Sequence, residues 1–477
     1  MNKLYFHTRL SEKIGILMQD DKIKDITIDR PTDACRVGSI FLGKIRNVDH
    51  SIEAAFVDIG ADQVGFLPKS EYPFDQSIVE GSAIIVQIVK EPYQNKGAKL
   101  TANITIGGSN IVFLPYGDYL AFSKKLDGDT RKRMENVLKP QLRKKEGLII
   151  RTNSAQKTDS ELIHELEQLR ASFQELLHST KNKKAPIVLY RDQLIPSHML
   201  NQYQSYPIDR IYFDELIKMK EMMTRYPHDK DKMEYLPSLP LLEGATIDQI
   251  LKQLTSPVVQ MKEGIVLTIE QTEGLTVIDI DSSQYRSRQN KQATLFQINQ
   301  KAVPAIAAEI NKRNISGIIL IDFLKMKRKD EQEKIHQSLK RAFAQYPVRT
   351  EVMGFTKLGL LEMTRKRENV SLLQQLTNKS SIVAWEYNLE SICYQLEREL
   401  YQLNRTNAEV VLLKGNPSLL DLFQKYSSAI LEKQIQLNIF IIKDSTIKGY
   451  DILRSGSNQL MDEYIVQHPD LTIDKIL

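Results

Sequence analysis

The chain has 477 residues, of which 42% are hydrophobic and 26% are charged, and its formal net charge is +5. This length is too great for one hydrophobic core and predicts three or four domains, while the net charge is too small to indicate a partner. Cys35 and Cys393 are the only cysteines, which excludes a disulfide framework and a four-ligand thiolate zinc site within one chain, and no apolar run approaches the ~18 residues of a membrane span.

The first predicted domain is a small barrel between Arg36 and Asn103. Phe56 and Phe66 lie on successive strands of it, where they either fill the core or form an exposed platform for stacking bases. Strands of this length, separated by glycines, are typical of a small closed barrel, and the five-stranded OB-fold is the candidate. The predicted strands cover 38–45, 53–60, 64–68 and 84–90.

A basic segment follows the barrel. Between Ser123 and Gly147 nine basic residues stand against four acidic ones, and the pattern predicts a helix over 126–146 that breaks near Pro140. The charge is either a solvated helix face or a contact for a polyanion. The elements predicted next are a strand over 147–152, a helix over 158–177, strands at 188–190 and 211–213, and a loop over 226–240.

Two short apolar runs, 276–281 and 318–323, each carry a carboxylate at the end of a predicted buried strand. A buried carboxylate is costly unless it is paired, hydrogen-bonded or holding a metal. Two such strands side by side would bring Asp279, Asp281 and Asp322 to one rim, and clustered carboxylates suit Mg²⁺. The alternative is that each aspartate caps the loop that follows it.

Helices are predicted around the second of these strands, over 293–313 and 330–346. The order strand–helix–strand predicts an α/β layer with the carboxylates at its carboxyl edge. A helical segment and a small α/β module with strands at 410–413 and 439–442 are predicted after it.

Four groups of motifs occur in order along the chain. They are GSIFLGKI with EAAFVDIGADQVGFLP, KGAKLTANIT with VFLP, EGLIIRT, and EGLTVIDID with GIILIDFLKM and GLLEMTRKR. Taken together, these motifs resemble the ribonuclease E/G family over most of the chain, and its shorter ribonuclease G type in particular. The resemblance implies an endoribonuclease that cuts single-stranded RNA with Mg²⁺ and leaves a 5′-phosphate and a 3′-hydroxyl.

The fold class that the resemblance implies is a multidomain α/β protein plus a β-barrel. An OB-fold RNA-binding domain has an inserted or adjoining 5′-sensor region. The α/β catalytic core has ribonuclease H-like and deoxyribonuclease-I-like parts, and a small α/β module follows. The expected boundaries are 1–34 with 191–254 (ribonuclease H-like), 35–103 (OB-fold), 104–190 (sensor), 255–370 (catalytic) and 371–477 (C-terminal module).

The resemblance also implies roles for individual residues. Asp279 and Asp322 match the catalytic, metal-binding aspartates of the family, and Asp281 is a candidate for the metal shell. A strand-end arginine beside a threonine suits a terminal phosphate, since both offer hydrogen-bond donors. The remaining matched positions are the RNA-binding Phe56, Phe66 and Lys96 and the 5′-monophosphate-sensing Gly108, Val112, Arg151, Thr152 and Arg349.

The chain departs from the family pattern at three positions near the carboxylates. Asp281 stands in place of asparagine, and Lys301 and Lys325 stand in place of acidic residues. Positive charge beside a divalent ion weakens its binding, so a catalytically degenerate RNA-binding protein of the same fold is the alternative function. The family's C-P-x-C zinc link is absent after Arg367, so no zinc is expected.

The expected partner is single-stranded RNA, as precursors of rRNA or as mRNA, and no DNA or membrane partner is expected. Self-association, where it occurs, is expected to use the C-terminal module. The N-terminal residues lack the apolar core and cleavage site of a secretory leader, so the protein is expected to be cytoplasmic.

Overall fold

The computed structural model describes residues 1–73, 78–92, 96–204, 206–282, 291–367, 369–379, 385–406 and 408–476. The chain divides into two compact units. The inserted unit is Thr32–Gln193, and the main unit combines Met1–Pro31 with Leu194–Leu477. Segments on the two sides of the insertion meet in the main unit, where the Leu194 backbone N–H donates a buried 3.1 Å hydrogen bond to the Asp29 carboxylate.

The main unit begins with an antiparallel meander. Its strands are β1 (Asn2–His7), β2 (Lys13–Gln19) and β3 (Lys22–Asp29).

The inserted unit begins with a closed five-stranded barrel, as predicted. β4 pairs with both β5 and β7, and β8 joins β6 to β7, so no edge is left open within this ring. Its core contains Phe41, Ala55, Val57 and Leu67, which lie at alternating positions of three strands. The strands are β4 (Ile40–Asp49), β5 (Ala54–Asp58), β6 (Gly65–Pro68), β7 (Ala83–Lys90) and β8 (Lys99–Thr101).

A four-stranded sheet in the order β11-β12-β10-β9 and two helices complete the inserted unit. The first helix ends before a 3-10 turn that contains Pro140, as predicted, and Thr158 and Glu161 form a capping box at the start of the second. The elements are β9 (Ile106–Gly107), β10 (Ile111–Leu114), β11 (Leu120–Phe122), α1 (Gly128–Leu138), β12 (Gly147–Ile150), α2 (Asp159–Thr180) and β13 (Ile187–Tyr190), the last of which pairs with β4.

The chain then returns to the first sheet of the main unit and extends it in the order β15-β14-β1-β2-β3. The prediction of a loop over 226–240 is wrong at 233–235, because these residues form a parallel edge strand too short to show a period of its own. The elements are α3 (Met199–Gln202), β14 (Arg210–Phe213), α4 (Leu216–Arg225), β15 (Met233–Tyr235) and α5 (Ile247–Thr255).

A six-stranded sheet in the order β16-β17-β18-β19-β21-β20 follows, with two helices packed on one face. The elements are β16 (Val258–Gln260), β17 (Val266–Gln271), β18 (Leu275–Asp281), α6 (Lys291–Lys312), β19 (Gly317–Asp322), α7 (Lys329–Ala344), β20 (Thr350–Phe355) and β21 (Leu360–Arg365). The strand–helix–strand order of the prediction is confirmed, with β18 and β19 parallel.

A small α/β module with a sheet in the order β26-β24-β25-β27 ends the main unit. No helix in the described part of the chain combines the length and the apolar character needed to cross a bilayer. The elements are α8 (Leu372–Leu376), β22 (Thr377–Lys379), β23 (Trp385–Tyr387), α9 (Leu389–Leu403), β24 (Val410–Gly415), α10 (Pro417–Tyr426), α11 (Ser428–Leu431), β25 (Asn438–Lys443), β26 (Tyr450–Gly456), α12 (Asn458–Gln467) and β27 (Asp474–Lys475).

A buried ionic network ties elements of the main unit together. The Glu12 carboxylate, 1% exposed, accepts a 2.7 Å hydrogen bond from Arg30 and another from Arg398. Arg398, on α9, also donates to Asp248 on α5 at 2.6 and 2.9 Å. Burial would raise the pKa of Glu12, but the two guanidinium groups hold it below its ordinary value.

Candidate active site

Asp279 and Asp322, the carboxylate pair, lie directly opposite each other in register on two adjacent parallel strands. Asp322 is the last residue of β19, and Asp279 lies two residues before the end of β18. Neighbouring strands are about 4.8 Å apart, so the backbone places the Cα atoms of the two aspartates about this far from each other. Asp281 lies two residues further along β18 and therefore on the same face of the sheet. This register places the three carboxylates together on one side of the sheet, as predicted from the sequence.

The expectation that the carboxylates are buried is wrong. Asp279, Asp281 and Asp322 are all exposed, because the helices cover only the face that carries Ile278 and Ile321. On the opposite face, Val277 and Leu320 are half-buried and Ile318 is exposed. These further apolar residues make the two runs look buried on both sides. The aspartates are therefore solvated, and the feature that marks them as a site is their adjacency on the sheet.

The chemistry of this donor set fits Mg²⁺. Two carboxylates on one rim match an ion that is bound through one or two carboxylates together with waters and substrate phosphate. Within the described ranges, no group of three acidic, imidazole or thiol side chains is arranged to hold a metal by itself.

Asn299 of α6 fixes the loop that follows Asp322. It is fully buried, its side-chain amide donates to the Leu324 carbonyl at 2.8 Å, and its side-chain oxygen accepts from the Leu324 backbone N–H at 3.0 Å. Phe323 is buried against Phe355, with 6.0 Å between ring centroids. Sequence reasoning missed Asn299, whose only signal is a polar residue among the apolar positions of a helix.

Phe56 and Phe66, the aromatic pair, face away from the barrel interior. They are a cross-strand pair in register on β5 and β6, half-buried, with ring centroids 6.0 Å apart and planes inclined by 62°. The alternative that they fill the barrel core is thereby excluded. Lys96 is exposed and precedes Gly97, where a Cβ atom would lie only 1.8 Å from the Val64 carbonyl oxygen. This close approach holds the Lys96 segment against the start of β6.

Four of the five phosphate-sensing candidates lie around one end of the four-stranded sheet. Val112 is in register with Gly107 and with Ile149, two residues before Arg151. A Cβ atom on Gly107 would lie 3.5 Å from the Arg151 guanidinium, so this guanidinium rests against the turn that contains Gly108. These neighbours form a small surface of glycine backbone and guanidinium.

Side-chain hydrogen bonds organise this surface. The Thr152 and Ser123 hydroxyls are 2.8 Å apart, and Glu165 accepts from the Asn110 backbone and side chain at 2.9 and 2.7 Å. A Cβ atom on Gly108 would come within 2.2 Å of the Glu165 carboxylate, which explains the glycine there. Sequence reasoning missed Ser123, Asn110 and Glu165, since their partners lie far away in the chain.

Arg349 belongs to the main unit and not to this sheet. Its side chain is exposed and pairs with Glu351. It helps to line a groove of about 510 Å³, together with Lys340, Tyr346 and Thr350. Its role with a 5′-phosphate stays a prediction.

Some residues of the basic segment, 123–147, form hydrogen bonds and ion pairs within the inserted unit. Arg131 donates to the Ser123 and Lys124 carbonyls, Arg133 pairs with Asp159, and Lys139 pairs with Glu135. These three basic residues thus stabilise the local structure. The other six basic residues of the segment form either a solvated surface or a contact for a polyanion.

Comparison with known proteins gives a consistent result. The model of the Ribonuclease E/G family matches residues 105–368, a stretch that includes the carboxylate pair but not the aromatic pair. Ribonuclease G of Haemophilus influenzae is 28% identical over 461 residues, which cover 91% of this chain and 93% of that protein. Ribonuclease G of Escherichia coli is 27% identical over 454 residues (89% and 92%), and Ribonuclease E of Synechocystis sp. is 28% identical over 382 residues (76% and 56%).

Proposed function

Because the chain belongs to the ribonuclease E/G family and is therefore an endoribonuclease, we propose that it hydrolyses single-stranded RNA at a Mg²⁺ ion held by Asp279 and Asp322. The observation that carries this proposal is the direct opposition of the two carboxylates on adjacent parallel strands. Precursors of rRNA and mRNA are the proposed substrates, which the enzyme would meet in the cytoplasm. The finer names of the parts, OB-fold, sensor, ribonuclease H-like and deoxyribonuclease-I-like, belong to the same proposal.

The chemistry divides between the ion and the side chains. When bound, Mg²⁺ would supply Lewis-acid stabilisation of the phosphate charge and a water of lowered pKa. Asp279 and Asp322 would hold the ion from adjacent strands of the sheet, and the hydrogen bonds of Asn299 to Leu324 fix the backbone of the loop that follows Asp322. The nucleophile is water, so the products carry a 5′-phosphate and a 3′-hydroxyl.

The direct test is cleavage of a 5′-monophosphorylated single-stranded RNA by wild type and Asp279→Asn, each with Mg²⁺ and with EDTA. The proposal expects cutting only by wild type with Mg²⁺. Tight binding of RNA without cutting in any condition would support the alternative function, a non-catalytic RNA-binding protein, which the substitutions Lys301 and Lys325 favour.

The aromatic pair is proposed to hold the RNA strand by stacking. Phe56→Ala should weaken binding of a single-stranded decanucleotide by about 5- to 150-fold, since stacking on one aromatic ring contributes about 1–3 kcal/mol per base. Fluorescence anisotropy in EDTA measures the dissociation constant without cleavage. Tyr119→Ala, which removes another exposed ring of the inserted unit, is the matched control and should bind as wild type does. Unchanged binding by Phe56→Ala would refute the platform.

Arg151 is proposed to recognise the 5′ end of the RNA. Arg151→Ala should abolish the preference for a 5′-monophosphate over a 5′-triphosphate, because the guanidinium is the charged donor at this surface. The measurement is the ratio of kcat/KM for two RNAs that differ only at the 5′ end. Lys144→Ala removes one exposed positive charge from the same unit and should keep the wild-type ratio. A wild-type enzyme that cuts both RNAs equally would contradict the sensor.

A further inference from the structure

The loop between β19 and α7 displays one lysine between two fixed neighbours. Leu324 is held through both of its backbone polar groups by the buried Asn299 side chain. Met326 is 9% exposed and belongs to the core of the sheet. Lys325 stands between them and is exposed. The backbone of Lys325 is therefore anchored on both sides, and only its side chain is left to move.

Among the described residues, no side chain occupies the Lys325 ammonium, which leaves it available to a ligand. No carboxylate in the described part of the chain forms an ion pair with it. Its neighbour Arg328 differs, since the Arg328 guanidinium binds both oxygens of Asp330 at 2.8 and 2.9 Å. Lys325 also lies only three residues beyond Asp322, which limits the distance between their Cα atoms to roughly 11 Å. From a position this close, a lysine side chain is long enough to extend toward the carboxylate pair.

The negative charge near Asp322 suggests what the Lys325 ammonium binds. Asp279, Asp281 and Asp322 present three carboxylates on one open face, and this charge repels an approaching polyanion. An ammonium cannot be a ligand of a cation, but it binds a phosphate oxygen as a point charge. We propose that Lys325 binds an RNA backbone phosphate next to the phosphate that lies at the carboxylate pair. This inference rests on the proposed function, and it assigns Lys325 to substrate binding where the resemblance has an acidic residue.

The test compares Lys325→Gln with Lys433→Gln, which removes one exposed charge from the C-terminal module. Binding of a fluorescein-labelled single-stranded decaribonucleotide is followed by anisotropy in EDTA over a range of KCl concentrations. Lys325→Gln should bind about fivefold more weakly at low salt, and the slope of log Kd against log [KCl] should fall by about 0.7, the value for one lost phosphate contact. Lys433→Gln should keep the wild-type slope.

A second measurement follows the metal without RNA. Mn²⁺ binding by electron paramagnetic resonance should be tighter in Lys325→Glu than in wild type, since a positive charge beside the carboxylates becomes negative. Equal salt slopes for Lys325→Gln and Lys433→Gln would overturn this proposal while leaving the proposed function intact, provided that wild type still cleaves and Asp279→Asn does not. A wild type that neither binds nor cuts RNA would overturn both.

Discussion

Asp322→Asn should lower kcat/KM for single-stranded RNA by about 10²- to 10³-fold or more while leaving RNA affinity within about twofold. The amide keeps the size of the side chain but loses the negative charge that a divalent ion requires. Asp322 is exposed, so the substitution should leave the free energy of unfolding within about 0.5 kcal/mol of wild type. RNA binding should persist because the substitution leaves the aromatic pair and the groups proposed to contact phosphates unchanged.

Glu362→Gln is the matched control for this experiment. Glu362 is exposed on the same open face of the sheet and lies in register with Leu320, two residues before Asp322. It changes charge by the same amount beside the pair, so a general electrostatic effect would slow both variants alike. Full activity of Asp322→Asn, or an equal loss in Glu362→Gln, would remove Asp322 from the metal site.

Arg398→Met should destabilise the main unit by about 3–5 kcal/mol, the cost of leaving a buried partner charge uncompensated. Glu12 is 1% exposed and would keep only Arg30 as a charged donor, while Asp248 would lose its guanidinium. The free energy of unfolding from urea denaturation measures the effect. Arg405→Met, an exposed position just beyond α9, should change it by less than about 0.5 kcal/mol.

The same network gives stability a pH dependence of known sign. Its guanidinium groups hold the pKa of Glu12 below the ordinary 4.5, so the contribution is present above 4.5 and is lost as the pH falls through the lower folded value. Arg398→Met should therefore lose less stability than wild type on acidification. A destabilisation by Arg398→Met below about 1 kcal/mol would mean that desolvation of the ions cancels their attraction.

The periodic pattern of apolar residues in the sequence predicted several secondary-structure elements of this protein. The barrel, the capped α2 and the parallel strands that carry Asp279 and Asp322 follow from local patterns of apolar residues and turn residues. Burial of these strands could not be read in the same way, because a continuous apolar run is compatible with one or two covered faces. Which face of the sheet is covered is decided by how α6 and α7 pack against it, and the apolar runs of the two strands do not show this.

The supporting residues show a second limit of the sequence. Asn299 and Glu165 act through hydrogen bonds to loop backbones 25 and 55 residues away in sequence. Neither lies in a motif with fixed spacing, and a lone polar residue in a helix is compatible with many environments. The arrangement around such residues emerges only when separate elements pack together.

The insertion between β3 and β14 delays completion of the first sheet during synthesis. β14, the parallel partner of β1, leaves the ribosome about 180 residues after β3, which is roughly ten to forty seconds at ordinary translation rates. During this delay one edge of the nascent β1 has no strand to pair with, a condition that favours aggregation. The inserted unit has its own cores and can begin to fold in the meantime, since its last residue, Gln193, is made before β14. Newly made chains should thus depend on the ribosome or on chaperones to protect their N-terminus, more than chains with an uninterrupted first domain do.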